Sequence, residues 1–590
     1  MSGVMVVRDP DPIRRRRGLE AAKSALSRLG LEVSSLEHGP IGIAWGTFAG
    51  APVQHAAGVF VLGEVIPGPG PERCTALAYA ERCAGHDVPP AFDGLHVAAT
   101  FDEHGAIRVA VDLLGTFQIY TAVAGERLFI ATSPALITAQ DGVHAELDIP
   151  GLVGLLLTNG PVRGRTLYKG IRRLAAGHAV VAGPGRPPGE VRQYTIPISD
   201  GSHDVPIEES GQRMHEALVT ATKRHVTTEV HTMLLSGGLD SRLLTGVMVR
   251  HGVTVEAITR GDPTDLEYRC ARGVARHLGI RHHLVPHAPG EFARFERSIW
   301  WDGMSSSPGG GSETLGERLP HARPHVVSGY LADSIMGAPF ARKSFDPESR
   351  NSSAERYVNA GNIWGVPLEV LPRLLRKDVF ADSLEVVYQE LCDDFMSAGD
   401  TFMVRSWLFD LAHRQRFVMG RMFPRIAFSA WPRAPQLDRE VLRVTASIPV
   451  PVFAGKRLER EILERFYTDL ARLPLDRNDP VITPLLPGPI DLIRAGIDRR
   501  VRRVRQQIGL PEPERRYYHR TYDFNGGPWR GTRLGAASDR QRLYPLFDRA
   551  TLDAFLPAAD AHWQPTELIE GASGVKMLTA LSVWLRVVLG

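Results

Sequence analysis

Residues Ser236-Gly237-Gly238-Leu239-Asp240-Ser241 constrain this chain more than any other segment. They follow the apolar run Met233-Leu234-Leu235 and lead into Arg242-Leu243-Leu244 and Val247-Met248, a pattern that predicts strand, glycine turn and helix start. That geometry aims several backbone N–H groups and a helix N-terminus at one point, a cradle for phosphate oxygens. The two glycines let the backbone approach an anion with no side chain in the way. Ser236 and Ser241 can donate hydroxyl hydrogen bonds, and Asp240 can hold a magnesium ion that shields phosphates. No G-x-x-x-x-G-K-[ST] string occurs in the chain, which excludes the kinase-type phosphate loop.

At 590 residues the chain is long enough for at least two domains, each with its own core. Its 69 basic and 66 acidic residues leave a net charge of +3, so bulk electrostatics points to neither nucleic acid nor membrane. Four cysteines (Cys74, Cys83, Cys270, Cys392) show no C-x-x-C spacing and read as reduced thiols of a cytoplasmic protein. Arg14 to Arg17 are not followed by the apolar run of a secretory signal. No stretch is long and apolar enough for a spanning helix, so the expectation is a soluble, cytoplasmic protein.

The texture of the chain changes once. Up to about residue 195, short β-type runs alternate with Gly/Pro punctuation, at 41–45, 58–62, 95–101, 107–111, 128–131 and 179–181. Helical patterns interrupt at 17–29, 73–84 and 148–158, and this density of strands predicts a layered sheet structure. Residues 183–189 read as a surface turn region and 199–204 as a linker, dividing the chain into domains 1–198 and 205–590. From about 205 the rhythm is βαβαβ. Helices are expected at 208–226, 241–251 and 265–278, and strands at 253–258 and 282–285 beside the phosphate-loop strand. Ligands of such parallel sheets sit at the carboxyl ends of the strands, where Ser236 to Ser241 would lie. Residues 354–475 look mostly helical, broken by Pro432, Pro435 and Pro449-Val450-Pro451, and 476–530 read as a mobile or partner-facing section.

A second β run ends in a glycine turn with an acidic residue at Val326-Val327-Ser328-Gly329-Tyr330-Leu331-Ala332-Asp333-Ser334. Asp240 and Asp333, at the ends of two strands, could share the magnesium ions that bridge a nucleotide's phosphates. The SGG-x-DS string resembles that of the ATP pyrophosphatases, and Ser328 to Asp333 resembles the S-G-x-G-x-D segment of the asparagine synthetase superfamily. The resemblance extends over most of the chain. Asp93-Gly94, Asp112 to Gly115 with Tyr120, and Leu128 to Ser133 are similar to the succession of motifs in that family's N-terminal domain. Arg165 to Ile171 with Leu174 and Gly177-His178 resembles its closing segment, and Asp265-x-Glu267 with Ala271-Arg272, Leu278-Gly279 and His282-His283 resembles a later motif. On that footing His277, His282, His283 and His287 read as structural residues rather than a metal cluster.

The resemblance implies an α/β protein with two parts. The first is an Ntn-hydrolase-like layered-sheet domain, a degenerate glutaminase, and the second an ATP-pyrophosphatase doubly wound parallel-sheet domain with a helical extension. Members that use glutamine begin Met-Cys-Gly, whereas this chain begins Met1-Ser2-Gly3, and a hydroxyl is a far weaker nucleophile than a thiol at neutral pH. The glutamine-binding "N-G-E-I-Y-N" segment has no counterpart in residues 46–55. The amine is therefore expected to be part of a substrate rather than ammonia.

Carboxylate activation by ATP with magnesium, followed by amide formation, is the implied chemistry. The resemblance assigns ATP binding to Leu234, Ser236, Gly237, Gly238, Asp240, Ser241, Thr259, Ser328 and Gly329, and metal binding to Asp240 and Asp333. Tyr330, in the place of the ring-forming β-lactam synthetase branch's tyrosine, could help deprotonate an amine or could pack over the nucleotide. The late cationic catalyst of the family, in an "R-x-K" context, has no lysine here, and Lys456 and Arg477 are the candidates. Among members lacking the N-terminal cysteine the chain most resembles lasso peptide cyclases, macrolactam synthetases of ribosomally made antibiotic peptides. This implies a precursor core peptide as partner, with a leader peptidase and a leader-binding protein nearby. A β-lactam-synthetase-like small-molecule cyclase and an asparagine synthetase remain alternatives. So do a non-catalytic scaffold and an RNA-binding protein, the last on the strength of Arg494, Arg499, Arg500, Arg502, Arg503, Arg505 and the 515–520 stretch, diluted by Asp491, Asp498, Glu512 and Glu514.

Overall fold

The computed structural model describes residues 2–198, 205–227, 229–286, 291–306, 308, 321–338, 354–476, 482–508, 523–563 and 572–590. The expected linker at 199–204, His287 and Arg477 lie outside them.

Twelve strands fill residues 3–192. They are β1 (Gly3–Arg8), β2 (Glu32–His38), β3 (Ile41–Thr47), β4 (Val53–Ala56), β5 (Val59–Gly63), β6 (His96–Phe101), β7 (Ile107–Val111), β8 (Tyr120–Ala124), β9 (Arg127–Ala131), β10 (Arg172–Arg173), β11 (His178–Gly183) and β12 (Arg186–Arg192). They form two six-stranded antiparallel sheets, ordered β10-β8-β9-β1-β3-β2 and β12-β11-β7-β6-β5-β4. Alternation along β1 explains the layering. Val4 and Val6, with Ile41 and Ile43, pack against Phe60, Leu62, Val97 and Val109 of the second sheet. Met5 and Val7 point the other way, onto Leu19, Ala22 and Leu26 of the helix Pro12–Ser27. On the far side Val59, Val61 and Ala98 pack on Tyr79 and Cys83 of the helix Ala76–Cys83. The result is helix, sheet, sheet, helix.

The sequence reading places β3, β5, β6, β7, β9 and β11 and the helices Pro12–Ser27, Ala76–Cys83 and Ile149–Thr158 to within about five residues, and misses β1, β2, β4, β8, β10 and β12. It reads 183–189 wrongly: only the tip is a turn, with Gly185 at φ +71°, and Pro187, Pro188 and Gly189 lie in β12. That strand is the sheet's outer edge, and its register against β11 shifts between Val181 and Gly183, opposite the two prolines, so their missing N–H groups fall at an irregularity of the ladder.

The remaining strands, β13 (His231–Leu234), β14 (Val255–Gly261), β15 (Arg281–Pro286), β16 (His325–Ser328) and β17 (Trp431–Arg433), form a wholly parallel sheet. Its order is β15-β14-β13-β16-β17, so the chain winds outward from β13 in one direction and then in the other. The reversal falls between β13 and β16, the place where such sheets open a crevice at their carboxyl ends. Residues 354–475 are largely helical, with a π-helical turn at Leu411–Gln415 and a short helix, Val450–Phe453, where the prolines suggested a break. Within the 476–530 section the chain forms the helix Pro489–Gln507 and begins the helix Gly527–Gly535.

The antiparallel layers and the parallel sheet are joined through one apolar core, in which Phe117 stacks on Trp431 at a centroid distance of 5.4 Å. Buried ion pairs cross the same boundary. Asp93 accepts from Arg224 at 2.8 Å and from Arg439, and Arg224 also donates to Asp438 at 2.6 Å. Glu64 pairs with Arg433 and Arg73. Although burial opposes its ionisation, hydrogen bonds from His325 and Arg433 with the neighbouring guanidiniums hold its carboxyl far below the usual range. The four cysteines are buried and unbridged. No described helix is long and apolar enough to cross a membrane.

Candidate active site

The first glycine loop leaves β13 and runs into the helix Asp240–Arg250, and its own hydroxyls shape it. The Ser241 Oγ accepts from the Ser236 backbone N–H at 2.9 Å and lies 2.8 Å from the Ser236 Oγ, which accepts from the Gly238 N–H at 3.2 Å. Gly237 is tightly enclosed: a Cβ there would lie 3.0 Å from Cys270 Cβ and from the backbone of Glu267. Arg242, fully buried, donates to the carbonyls of Leu470 and Leu473 at 3.0 Å and of Pro474 at 2.5 Å, and the Asp476 N–H donates to the Gly237 carbonyl at 3.0 Å. The segment leading to residue 476 is thus tied to the loop.

The second loop follows β16, the neighbour of β13, with Leu234 opposite Ser328 in register. Gly329 lies against the start of the first helix, where a Cβ would come 3.0 Å from Ser241 N and 3.3 Å from Asp240 Cβ. Leu331 takes a left-handed φ of +68° and opens the short helix Ala332–Met336, which carries Asp333 in its first turn. Two loops 92 residues apart in sequence, from Ser236 to Ser328, are in contact.

Lys456 joins them. Its Nζ donates to both Asp240 oxygens at 2.9 Å and stands 3.9 Å from the Asp333 carboxylate. It is held by the backbone: the Gly455 and Lys456 N–H groups both donate to the Gly337 carbonyl, at 2.6 and 3.1 Å, and Lys456 itself is left-handed at φ +62°. All three side chains remain about a quarter to a third exposed, at 24–31%, so they face the crevice rather than the core. Burial opposes the Lys456 charge, but Asp240, Glu459 and Asp333 outweigh it and raise the ammonium's pKa. Asp333 is raised by burial and by Asp240, with Lys456 acting against them.

Two further carboxyls stand at the site that sequence reading missed. Glu459, one turn after Lys456, is fully buried, and burial followed by the Asp240 charge drives its pKa well above the usual carboxylate range. Asp410 is pushed up to about 6, chiefly by burial, with Arg414 and a hydrogen bond from Gln415 opposing and Asp333 adding to the rise. A signal for Glu459 existed: it shares the buried face of its helix with Ile462 and Leu463, at i+3 and i+4, where an apolar residue belongs. Asp410 carries no such mark in the sequence.

The other expected residues divide. Ser328 ends β16 with a buried hydroxyl that has no protein partner, an orphaned polar atom at the crevice. Tyr330 is half-buried, its ring edge-on to Phe423 at 6.2 Å, and its carbonyl accepts from Gln436. Thr259 stands behind the first loop, its hydroxyl donating to the Leu235 carbonyl at 2.6 Å and lying 2.8 Å from His282 Nε2. Leu234 packs with Ile258 and Val285. His277 pairs with Asp469 at 2.6 Å and His283 stacks on His321. Among the described residues no group of three or more His, Cys, Asp or Glu is arranged to hold a metal. Two carboxylates facing one crevice nevertheless suit a hard cation that takes its remaining oxygens from phosphate and water. The narrow glycine approach, the partly exposed Asp240–Lys456–Asp333 cluster and the orphaned Ser328 hydroxyl fit a nucleoside triphosphate in the same place.

Ser2 is elsewhere. It is fully buried, and both its N–H, at 3.0 Å, and its hydroxyl, at 2.7 Å, donate to the Ala427 carbonyl.

Residues 213–475, which contain both glycine loops and Lys456, match the asparagine synthase family model. The segment, less than half of the chain, resembles an asparagine synthase domain. Such a domain is that of an ATP-dependent carbon–nitrogen ligase that forms AMP and pyrophosphate. The amidase chyE of Penicillium rubens is 27% identical over 212 residues, 32% of this chain and 31% of that protein, so the chain spans about a third of that relative's length. Among solved structures, the glutamine phosphoribosylpyrophosphate amidotransferase of B. subtilis overlaps 48% of this chain and 65% of its own at 11% identity and a TM-score of 0.23. An allosteric regulatory enzyme of purine biosynthesis overlaps 58% and 76%, again at 11% identity and 0.23. At those scores neither overlap carries an argument.

Proposed function

We propose that the whole protein is an ATP-dependent amide-forming ligase that activates a side-chain carboxylate of a precursor peptide and closes a macrolactam on the peptide's N-terminal amine. The observation that carries this reading is the meeting of the two glycine loops, with Asp240, Asp333 and Lys456 around one crevice. In the proposed reaction the substrate carboxylate displaces pyrophosphate from the α-phosphorus of ATP, giving an acyl-adenylate, and the amine then displaces AMP. Ser236, Gly237, Gly238 and Ser241 would hold the leaving pyrophosphate, and Asp240 and Asp333 would hold magnesium, which neutralises phosphate charge. Lys456, already poised between the two carboxylates, would shift toward phosphate oxygens once the metal takes up their charge. Rate enhancement of this kind comes from positioning and from charges fixed in advance.

The choice of an amine within the substrate rests on Ser2. Its hydroxyl is spent on the Ala427 carbonyl and lies in the core, which suits a supporting role for the layers built by residues 1–198 and leaves synthesis to 205–590. The test supplies ATP, magnesium and a leader-free core peptide and looks by mass spectrometry for loss of one water. Turnover only with glutamine or ammonia would overturn the peptide reading, and turnover only with a small amino acid derivative would favour a β-lactam-type ring former.

A further inference from the structure

Of the seven large aliphatic side chains on the helix Pro489–Gln507 and the residue after it, Leu492 stands apart and six, Ile490, Ile493, Ile497, Val501, Val504 and Ile508, are spaced 3-4-4-3-4. At about 100° per residue they fall within an arc of roughly 80° on the helix surface. Such a stripe on an ordinary surface helix faces the core. Here every one of the six is 51–65% exposed. The helix meets the rest of the protein through Ala495, which is buried, and through half-buried Asp491, Arg502 and Arg505. The apolar stripe is turned roughly a third of a revolution away from that contact.

Charge is concentrated on the same element. Its six arginines and two aspartates give a net +4 in a chain whose total is only +3. Arg494 and Arg500 flank the stripe on its two sides, and both are exposed, as are Arg499 and Arg503. We propose that this helix docks the protein on an anionic lipid bilayer, with the stripe at the boundary between headgroups and acyl chains and the flanking guanidiniums on lipid phosphates. A basic amphipathic helix lying in the interfacial plane has this distribution of apolar and cationic side chains, and each arginine near an anionic surface adds to the attraction. A second copy of the chain would bring two helices of net +4 together. A nucleic-acid backbone would be met by arginines but leaves an outward aliphatic stripe unexplained. The inference is independent of the proposed reaction, because none of these residues stands at the crevice.

The test is co-sedimentation of the full chain with vesicles of phosphatidylglycerol and phosphatidylcholine, against vesicles of phosphatidylcholine alone. Binding should require the anionic lipid and weaken as salt rises. The variant Ile497→Glu/Val501→Glu, at two exposed positions, should lower the partition coefficient by about tenfold or more. Arg499→Gln/Arg503→Gln should weaken it less and flatten its salt dependence. Melting temperature and far-UV circular dichroism should be unchanged in both, which shows that the variants are folded. Equal recovery on neutral vesicles, no recovery on anionic ones, or undiminished binding by the Ile497→Glu/Val501→Glu variant would overturn the proposal. So would self-association or tRNA binding lost through the same substitutions while lipid binding persists.

Discussion

Replacing Lys456 by methionine is the sharpest test of the crevice. The substitution keeps most of the side chain's volume and removes one charge that lies 2.9 Å from both Asp240 oxygens and 3.9 Å from Asp333. At an effective dielectric of about 20, a contact of that length is worth on the order of 5 kcal/mol before desolvation is counted. Breaking a fully buried pair costs about 3–5 kcal/mol and an exposed one less than about 1. With both partners about a quarter exposed, the loss of stability should fall between, near ~2 kcal/mol. Catalysis should suffer more. A fixed donor aimed at developing charge contributes about 10²–10³ in rate, so ATP–pyrophosphate exchange in Lys456→Met should drop by that factor while the melting temperature falls by only a few degrees. Exchange within about threefold of the unmodified protein would refute the assignment. If exchange survived in Lys456→Met and vanished in Arg477→Met, the working cation would be Arg477 instead.

Gly329→Ala should reduce kcat/KM for ATP in the exchange assay by about tenfold, because its Cβ would press on Ser241 N and Asp240 Cβ and part the two loops. Asp410→Asn should stabilise the protein at neutral pH. Its carboxyl pKa is raised from 3.8 to about 6 on folding, so the native state holds a proton that the unfolded chain has released. Stability therefore falls as pH rises between those values, by about 3 kcal/mol. Melting temperatures of the two proteins should coincide below pH 4, separate as pH rises to 6 and stay apart by a constant amount above it. Ser2→Cys should release no glutamate from glutamine in a coupled assay, since residue 2 is buried with its side chain on the Ala427 carbonyl. Arg433→Met should cost about 3 kcal/mol in denaturant unfolding by leaving Glu64 short of its closest buried partner.

Ten of the seventeen described strands could be read directly from the chain. Period-two runs marked β3, β6 and β7, and the βαβαβ rhythm placed β13 and β14 and the helices between them, because hydrophobic periodicity is local. Where local signals failed, a neighbour had changed the context. The Pro-Pro-Gly segment is a strand because it lies at a sheet edge, and the arginine-rich stretch is partly a helix whose apolar stripe was hidden among charges.

By itself the sequence determined that two glycine turns follow two strands and that each brings an aspartate to a helix start. That follows from short-range rules, since turn, strand and cap are each written within a few neighbouring residues. Only the tertiary structure decided that β13 and β16 are adjacent, so that the turns touch. It also decided that Lys456, 216 residues beyond Asp240, supplies the cation between them, and that Glu459 and Asp410 crowd the same charge. Those facts depend on which helix packs over which strand, and the encounter of distant side chains in a crevice leaves no periodic trace along the chain.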